Sequence, residues 1–237
     1  MNRAKGALLL PETIMRFLQK PGRGSASPHL DTTPIVFVVD DDFSVRESLE
    51  TLIRFEGWRP ETFASAQEFL AHPRILAPSC LVLDISLPDL NGLDLQGLVA
   101  VDRMDMPIIF ITGYGDVPMA VRAMKAGAVE FLTKPFDVEV LLQAIRQAIE
   151  RSQSALAREA ELRLLEERHA SLSKREHEVM NLVVTGLLNK QIGAELGISE
   201  ITVKAHRGQV MRKMSAGSLA DLVNMAARLR QMHALKS

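Results

Sequence analysis

Acidic, basic and hydroxyl residues follow apolar segments at several separate places in this chain. The residues at the ends of these segments are Asp40, Asp41, Asp84, Thr112 and Lys134. Carboxylates gathered at one point bind a hard cation such as Mg²⁺, and a carboxylate beside that cation can attack phosphorus to form an aspartyl phosphate. A lysine offsets charge on the transferred phosphoryl oxygens, and a hydroxyl can donate to the new phosphate. Together these residue types suit phosphoryl transfer.

Each residue taken alone also has a plain structural explanation. The acids in FVVDDD could form a solvated loop after a strand, Thr112 could satisfy a strand end, and Lys134 could be a surface cation. Burial of unpaired carboxylates is costly, so acids in such places lie at an exposed strand end or bind a cation. Whether these residues form a site or have separate structural roles depends on whether the strands and helices that carry them bring them together.

Apolar strand candidates alternate with helical patterns from Ile35 onward. The predicted strands are Ile35–Val39, Trp58–Phe63, Cys80–Leu83, Ile108–Thr112 and Val129–Leu132. The predicted helices are Val45–Phe55, Ala66–Leu70, Leu93–Val101, Val117–Lys125 and one that begins at Val138. This alternation predicts an α/β doubly wound, five-stranded parallel sheet of order 2-1-3-4-5. The first and third strands are then neighbours, so Asp40, Asp41 and Asp84 should converge.

Four motifs in this region resemble the receiver domain of two-component response regulators. They are FVVDDD, VLDISLPDLNG, IFITGYGD and AVEFLTKPF, in this order. The segment TGYGDVPMAVRAMKAGA is similar to the FixJ subgroup of receivers. The resemblance implies a cognate sensor histidine kinase as partner and a regulatory protein rather than an enzyme. It also implies that the surface of Val117–Lys125 and the last strand is read after phosphorylation.

The resemblance assigns a role to each matching residue. Asp84 is the implied phosphoacceptor. Mg²⁺ is the implied cofactor, and its implied ligands are Asp40, Asp41, Asp84 and the backbone carbonyl of Ser86. The implied phosphate-contacting and switching residues are Thr112, Phe131, Lys134 and Pro135, with a cis bond before the proline. Many receivers carry Tyr where this chain has Phe131, so this ring would move without a hydroxyl.

The end of the chain shows helical patterns only. Ser173 and Glu176 have the spacing of a capping box that opens one helix. A short amphipathic helix over Asn189–Leu196 is followed by a turn at Gly197 and a longer helix capped by Ser199. Two helices joined in this way predict a DNA-binding helix-turn-helix.

The segment from LSKREHEV to HRGQVMRKM resembles the helix-turn-helix of the LuxR/NarL/FixJ class. The resemblance implies double-stranded promoter DNA as partner, with contacts from Lys190, Thr202, Lys204, Ala205, Arg207, Gly208 and Arg212. Val203, Val210 and Met214 fall at helical spacing and should pack inward. Alternatively, the cations form a solvated helix face. RNA polymerase and a homodimer formed on phosphorylation are further implied partners, and activation of transcription is the implied outcome.

Charge divides the chain into an acidic and a basic part. Residues 34–150 hold nine Lys and Arg against eighteen Asp and Glu, whereas residues 171–237 hold ten against five. The contrast predicts two domains with different partners, and the basic one suits nucleic acid. The expected divisions are a flexible extension (1–33), a receiver (34–150), a helical linker (151–171) and a LuxR-type DNA-binding domain (172–237).

Cysteine content and hydropathy indicate a cytoplasmic protein. Cys80 is the single cysteine, so no disulfide can form within the chain. No apolar run approaches the length of a membrane span, and we expect no membrane contact. A seven-residue spacing of Leu142, Ile149 and Leu156 hints at a coiled coil, but Arg163 breaks it, so we expect none.

Two rival functions remain open. Asp40 and Asp42 after an apolar strand also resemble the nucleophile motif of haloacid-dehalogenase-type phosphatases, which would make Asp40 the nucleophile. A helix-turn-helix has no role in such an enzyme. The second rival is a DNA-binding protein whose receiver has lost phosphorylation, and the intact set of acids, Thr112 and Lys134 argues against it.

Overall fold

The computed structural model describes residues 33–102 and 106–236, apart from the side chains of residues 101, 102 and 233–236. Nearly all of the expected extension, residues 1–33, lies outside the described residues. The chain divides into two compact units between Leu156 and Ala157. The first unit has a hydrophobic core on each face of its sheet, and the second unit has a single core.

The first unit contains one parallel sheet of five strands. The strands are β1 (Ile35–Val39), β2 (Arg59–Phe63), β3 (Ser79–Asp84), β4 (Ile108–Thr112) and β5 (Glu130–Thr133). Their order is β2-β1-β3-β4-β5, and every neighbouring pair is parallel. The predicted topology is therefore confirmed. The three central strands are buried along their whole length, in agreement with their mainly apolar sequences.

Helices cover both faces of this sheet. They are α1 (Phe43–Phe55), α2 (Ala66–Ala71), α3 (Gly92–Asp102), α4 (Val117–Lys125) and α5 (Val138–Ala170). One core joins α1 and the beginning of α5 to the first face, and a second core joins α2, α3 and α4 to the other. Alternate residues of β1 belong to alternate cores, because successive side chains of a strand point to opposite faces.

The seven-residue spacing in α5 has a local explanation. Leu142 and Ile149 are buried in the core of the first unit, where they pack with α1 against the sheet. Further along α5, the buried hydroxyl oxygen of Ser152 accepts the backbone N–H of Ser79 at 3.1 Å. Leu142 and Ile149 thus serve packing within the first unit.

The second unit is helical in its described part. After the end of α5 come α6 (Lys174–Val183), α7 (Asn189–Leu196), α8 (Glu200–Met214) and α9 (Leu219–Lys236). The capping box of Ser173 and Glu176 is present at the start of α6, as predicted. Gly197 ends α7 with a positive φ of 65°, a conformation that favours glycine.

The turn between α7 and α8 is tight. A Cβ on Gly193 would lie 2.7 Å from the carbonyl oxygen of Ile198, so the two helices approach as closely as they do because residue 193 has no side chain. Val203, Val210 and Met214 are buried in the core of this unit, which confirms their predicted inward packing. Among the described helices, none combines the length and apolarity needed to cross a membrane.

Candidate functional site

Asp40, Asp84 and Lys134 meet at the carboxyl-terminal edge of the sheet. Asp40 follows β1 and Asp84 ends the neighbouring β3, so the fold places them side by side. The Nζ atom of Lys134 lies 2.6 Å from Oδ2 of Asp40 and 2.7 Å from Oδ2 of Asp84. Oxygens of Asp40, Asp41 and Asp84 lie within 4.8 Å of one another. The predicted convergence is confirmed.

Burial gives this cluster unusual electrostatics. Asp40 is 0% exposed and Asp84 is 5% exposed. Burial raises the pKa of Asp40 to about 6, although the nearby Lys134 ammonium opposes the rise. Burial also opposes the charged form of Lys134, but attraction by the two carboxylates outweighs it and raises the lysine's pKa. One ammonium group therefore faces a surplus of carboxylates.

Backbone N–H groups orient both carboxylates. Oδ1 of Asp40 accepts the N–H of Asp42, and Oδ1 of Asp84 accepts the N–H of Ser86, each at 2.9 Å. The other oxygen of each carboxylate contacts Lys134. Nη1 of Arg46 donates to the carbonyl oxygen of Asp40 at 2.7 Å and ties α1 to the end of β1. The two carboxylates are thus held in fixed orientations before any ligand arrives.

The donor set fits a hard divalent cation. Asp40, Asp41 and Asp84 form the only group of three or more His, Cys, Asp or Glu side chains within residues 33–102 and 106–236 that could hold a metal. Three carboxylates and one lysine leave two negative charges uncompensated when all are ionised, and oxygen ligands suit Mg²⁺. Asp41 is exposed, which leaves one side of the cluster open to solvent.

Gly92 and Asp42 also shape the site, although neither of them was assigned a role in it from the sequence. A Cβ on Gly92 would lie 2.7 Å from the carbonyl oxygen of Asp84 and 2.8 Å from Cα of Ile85, so only glycine lets this loop fold against the strand end. Asp42 caps α1 by accepting the N–H of Ser44 at 2.8 Å. The glycine of VLDISLPDLNG and an acid directly before a helix were the available sequence signals.

The predicted switch residues lie beside the cluster and contact a common loop. Thr112 is fully buried at the end of β4, and its Oγ1 accepts the N–H of Tyr114 at 3.2 Å. A Cβ on Gly115 would lie 2.9 Å from the ring of Phe131 and 3.1 Å from Cγ2 of Thr112. The bond between Lys134 and Pro135 is cis, as the resemblance implies.

In the second unit, most predicted DNA-contacting residues lie on the solvent side of α7 and α8. The exposed ones are Lys190, Lys204, Ala205, Gly208 and Arg212. Two others have structural contacts. Arg207 is half-buried and donates to Oδ1 of Asn189 at 3.1 Å, and Thr202 contacts the capping Ser199 through its hydroxyl oxygen at 2.8 Å. Arg207 therefore links α8 to the start of α7.

Two family models match this chain. The response regulator receiver domain matches residues 36–146, and the luxR family of bacterial regulatory proteins matches residues 170–226. The first match covers the sheet with its acidic cluster, and the second covers α6, α7 and α8.

Full-length relatives share both parts. Nodulation protein W of Bradyrhizobium diazoefficiens is 52% identical over 198 residues, which cover 84% of this chain and 87% of that protein. Transcriptional regulatory protein FixJ of the same organism is 42% identical over 193 residues, which cover 81% and 94%. The solved structure of response regulator StyR matches with a TM-score of 0.75 and 48% identity, and the match covers 83% of this chain and 99% of that chain.

Proposed function

This chain belongs to the response regulators that join a receiver domain to a LuxR-type DNA-binding domain, and we propose that phosphorylation of Asp84 controls it. It is a regulator of transcription that combines a receiver domain with a DNA-binding domain. Its family is not one of classical enzymes. We assign the receiver to residues 34–150 and the DNA-binding domain to residues 172–237. A cytoplasmic location is part of the proposal, because DNA and a kinase domain are its partners.

The bridge from Lys134 to Asp40 and Asp84 carries the proposal. A lysine within 2.7 Å of both carboxylates is positioned to neutralise a phosphoryl group that arrives on either of them. Asp84 is the better acceptor, because it is slightly exposed whereas Asp40 is completely buried. Asp40 then serves to attract a cation and the lysine.

The proposed transfer balances without a further reactant. A carboxylate oxygen of Asp84 forms a bond to the phosphorus of a phosphohistidine on the kinase, and the phosphorus–nitrogen bond breaks. The imidazole of the kinase keeps the electron pair and leaves. Lys134 moves its hydrogen bond from the Asp84 carboxylate to a phosphoryl oxygen, while the N–H of Ser86 continues to orient the acceptor.

Mg²⁺ would be held by the acidic cluster. The proposed ligands are carboxylate oxygens of Asp40, Asp41 and Asp84 and the backbone carbonyl of Ser86. Bound there, Mg²⁺ would neutralise charge on the phosphoryl oxygens. The uncompensated negative charge of the cluster supports this assignment, because a divalent cation balances it.

Labelling with a small phosphodonor tests the proposal. Full-length protein incubated with Mg²⁺ and radiolabelled acetyl phosphate should acquire a hydroxylamine-sensitive label. Asp84→Asn should abolish the label, whereas Asp94→Asn, which changes an exposed acid of α3, should keep it. A label that maps to Asp40 in the wild-type protein would instead support the phosphatase-like rival, and a fully labelled Asp84→Asn variant would refute the assignment.

We propose that phosphorylated receivers pair through the surface of α4 and β5. Val117, Val121 and Met124 repeat along α4 at intervals of four and three residues and are 76%, 45% and 44% exposed. Contiguous exposed apolar side chains of this kind are typical of association surfaces. Phosphate on Asp84 would draw the Thr112 hydroxyl towards it, and Phe131 would turn inward into the vacated space.

Pairing would bring two DNA-binding domains onto half-sites separated by about one helical turn or a multiple of it. In sedimentation experiments, phosphorylated protein should be dimeric at concentrations at which the unmodified protein is monomeric. A phosphorylated protein that remains monomeric while its DNA affinity rises would replace pairing by release of an inhibited DNA-binding domain. RNA polymerase is the further partner that we propose at the promoter, with activation as the outcome.

DNA binding is proposed for the solvent side of α8 and the start of α7. Lys190, Lys204 and Arg212 are exposed cations there and suit phosphate contacts. Ala205 and Gly208 permit close approach to a groove. Arg207 and Thr202 would contribute from the edge of this surface while they keep the structural contacts described above.

A further inference from the structure

The outward face of α8 combines apolar, small and cationic side chains. Residues 201, 205, 208 and 212 follow one another at intervals of four, three and four, which places them on one face of a helix. All four are exposed, and Lys204 lies beside them and is exposed as well. From the beginning of α8 to its end, this face carries Ile201, Ala205, Gly208 and Arg212.

Ile201 is the largest apolar residue on this face. Its exposed fraction is 82%, the highest of any large hydrophobic residue in the described part of the second unit. It is the second residue of α8, one turn before Ala205. Single exposed apolar residues are common on proteins, so exposure alone says little. Its position in the first turn of this helix is the informative feature.

We propose that Ile201 packs against the 5-methyl group of a thymine in the major groove and so contributes to sequence specificity. The inference rests on the proposed DNA-binding role of α8. The second helix of a helix-turn-helix directs its first residues to base edges. In the major groove only thymine presents a methyl group, and an apolar side chain is its natural contact.

The surrounding charges favour DNA over an apolar protein partner. Lys204 and Arg212 flank the apolar and small residues of this face and are both exposed. They belong to a segment, residues 171–237, with ten Lys and Arg against five Asp and Glu. An apolar contact framed by cations complements a methyl group that lies between two phosphate backbones. Ala205 and Gly208 carry too few atoms to hold α8 away from the groove floor.

Replacement of thymine by deoxyuridine removes only the methyl group and therefore tests the contact directly. A duplex is first selected from a random pool by full-length wild-type protein treated with acetyl phosphate and Mg²⁺. Each thymine of this duplex is then replaced singly by deoxyuridine, and dissociation constants are measured by fluorescence anisotropy at one salt concentration. At one or two positions, wild-type affinity should fall about fourfold, the factor expected from burial of one methyl group.

Three variants separate the contact from other roles of the residue. In Ile201→Ser the deoxyuridine penalty should disappear at the thymine that Ile201 contacts, once in each half-site of a dimer, and any penalty at another thymine should persist. Ile201→Val keeps a branched apolar side chain and should keep the penalty. Leu188→Ser makes the same kind of change at a residue 69% exposed in the loop before α7, and it should also keep the penalty.

Each outcome decides something. Penalties that all persist in Ile201→Ser, or a wild-type protein with no penalty at any thymine, would refute the methyl contact while DNA binding stands. In Ile201→Ser the affinity could instead fall equally for every duplex, with unchanged deoxyuridine penalties. This result would also refute the methyl contact and would indicate that Ile201 contacts protein rather than a base. If the wild-type protein enriches no duplex, the proposed DNA-binding function fails, and this inference fails with it.

Discussion

A lysine meets nearly buried carboxylates in both units, yet the pKa of Asp40 is raised and the pKa of Glu176 is lowered. In the first unit Lys134 is shared between Asp40 and Asp84, and burial raises the pKa of Asp40 to about 6. In the second unit Nζ of Lys213 lies 2.7 Å from Oε2 of Glu176. This hydrogen bond, together with the N–H of Ser173 at 2.7 Å, lowers the pKa of Glu176 to about 2.

Burial and the balance of charge together explain the difference, and burial is the larger cause at Asp40. Glu176 is a single carboxylate that has one ammonium and the donors of a capping box, so its charge is well compensated and its contact is structural. The cluster of Asp40, Asp41 and Asp84 has more negative charge than Lys134 can compensate. Uncompensated buried charge lowers stability and persists where function needs it. The charge surplus of the first cluster supports the proposal that a cation and a phosphoryl group complete it.

Removal of each lysine gives the largest expected contrast. Lys134→Met leaves two nearly buried carboxylates without their cation, so the free energy of unfolding of the first unit should fall by about 3 kcal/mol. Labelling of Asp84 should fall at least about a hundredfold, since one electrostatic contact to the phosphoryl oxygens is lost. Urea unfolding at pH 8 in EDTA, followed by fluorescence of the only tryptophan, Trp58, reports on this unit.

Lys213→Met is the matched variant in the second unit. Its partner, Glu176, already has the donors of the capping box. The free energy of unfolding of the second unit, followed by far-ultraviolet circular dichroism, should therefore fall by about 1 kcal/mol or less. Labelling of Asp84 should be unchanged. If both variants lose similar stability and Lys134→Met still accepts phosphate, the contrast between the two contacts is wrong.

Mg²⁺ should stabilise only the first unit. At a concentration a hundredfold above its dissociation constant, a ligand that binds the folded state alone adds about 2.7 kcal/mol to the free energy of unfolding. Asp41→Asn should lose most of this gain, because it removes a proposed ligand. Asp41 is exposed, so the substitution should leave the packing of the unit unchanged. Asp94→Asn is the control and should keep the gain. Equal stabilisation of wild-type and Asp41→Asn protein would exclude Asp41 as a ligand.

Thr112→Ala should separate phosphorylation from its consequence. Asp84 should still be labelled, since the proposed transfer uses the acids and Lys134. The effect of phosphorylation on dimerisation should fall at least about tenfold, within the usual range of coupling between sites. Sedimentation equilibrium of phosphorylated protein measures the change. Thr133→Ala is the control at the register-paired, exposed position of β5, and an equal effect there would dissociate the coupling from the Thr112 hydroxyl.

The fold was largely predictable from the sequence, because the mainly apolar segments of the three central strands alternate with helical patterns. The bounds of β1, β4, α4 and α7 match their predictions. The prediction began the second strand at Trp58, but β2 begins at Arg59. Trp58 packs its ring against the core on the face of α1 and α5, so an apolar residue beside a strand was mistaken for part of it.

The site was predictable in its charged residues and less so in what positions them. Acids at the ends of neighbouring strands converge whenever the strand order is known, so Asp40 and Asp84 could be placed together. The double contact of Lys134 could not be derived, because it depends on side-chain reach across the sheet edge. Nor could the pairing of Arg207 with Asn189, since no local pattern relates two residues 18 positions apart.

Removal of single cations from the second unit should have a smaller effect than the changes above, and this effect should appear in the salt dependence of DNA binding. Lys204→Ala removes one proposed phosphate contact, so the slope of log K against log salt should fall by about 0.9. Arg207→Ala should lower the slope similarly and should also reduce the stability of the second unit, because its hydrogen bond to Asn189 is lost. Arg230→Ala, an exposed cation on α9, should leave the slope unchanged. Unchanged slopes for Lys204→Ala and Arg207→Ala would move the DNA surface elsewhere.

The smallest effect concerns acid and the capping box. The pKa of Glu176 is lowered in the folded state, from the ordinary 4.5 to about 2, so its carboxylate stabilises the fold above pH 4.5. This contribution should be lost as the pH falls from 4.5 towards 2, because protonation removes the charge that Lys213 and the N–H of Ser173 bind. The stability of wild-type protein relative to Glu176→Gln should therefore be constant above this window and shrink within it, as measured by urea unfolding followed by circular dichroism.

The difference in stability between the wild-type protein and Glu176→Gln is informative, because the effects of acid on the first unit are the same in both proteins and cancel. Glu178→Gln changes another acid of α6, one paired with Arg175 outside the capping box, and provides the matched control. If the advantage over Glu176→Gln is the same at pH 3 as at pH 6, the charge of Glu176 does not stabilise this unit. The contact between Lys213 and Glu176 would then resemble a neutral hydrogen bond. The contrast between the two lysines would rest on the cluster of Asp40, Asp41 and Asp84 alone.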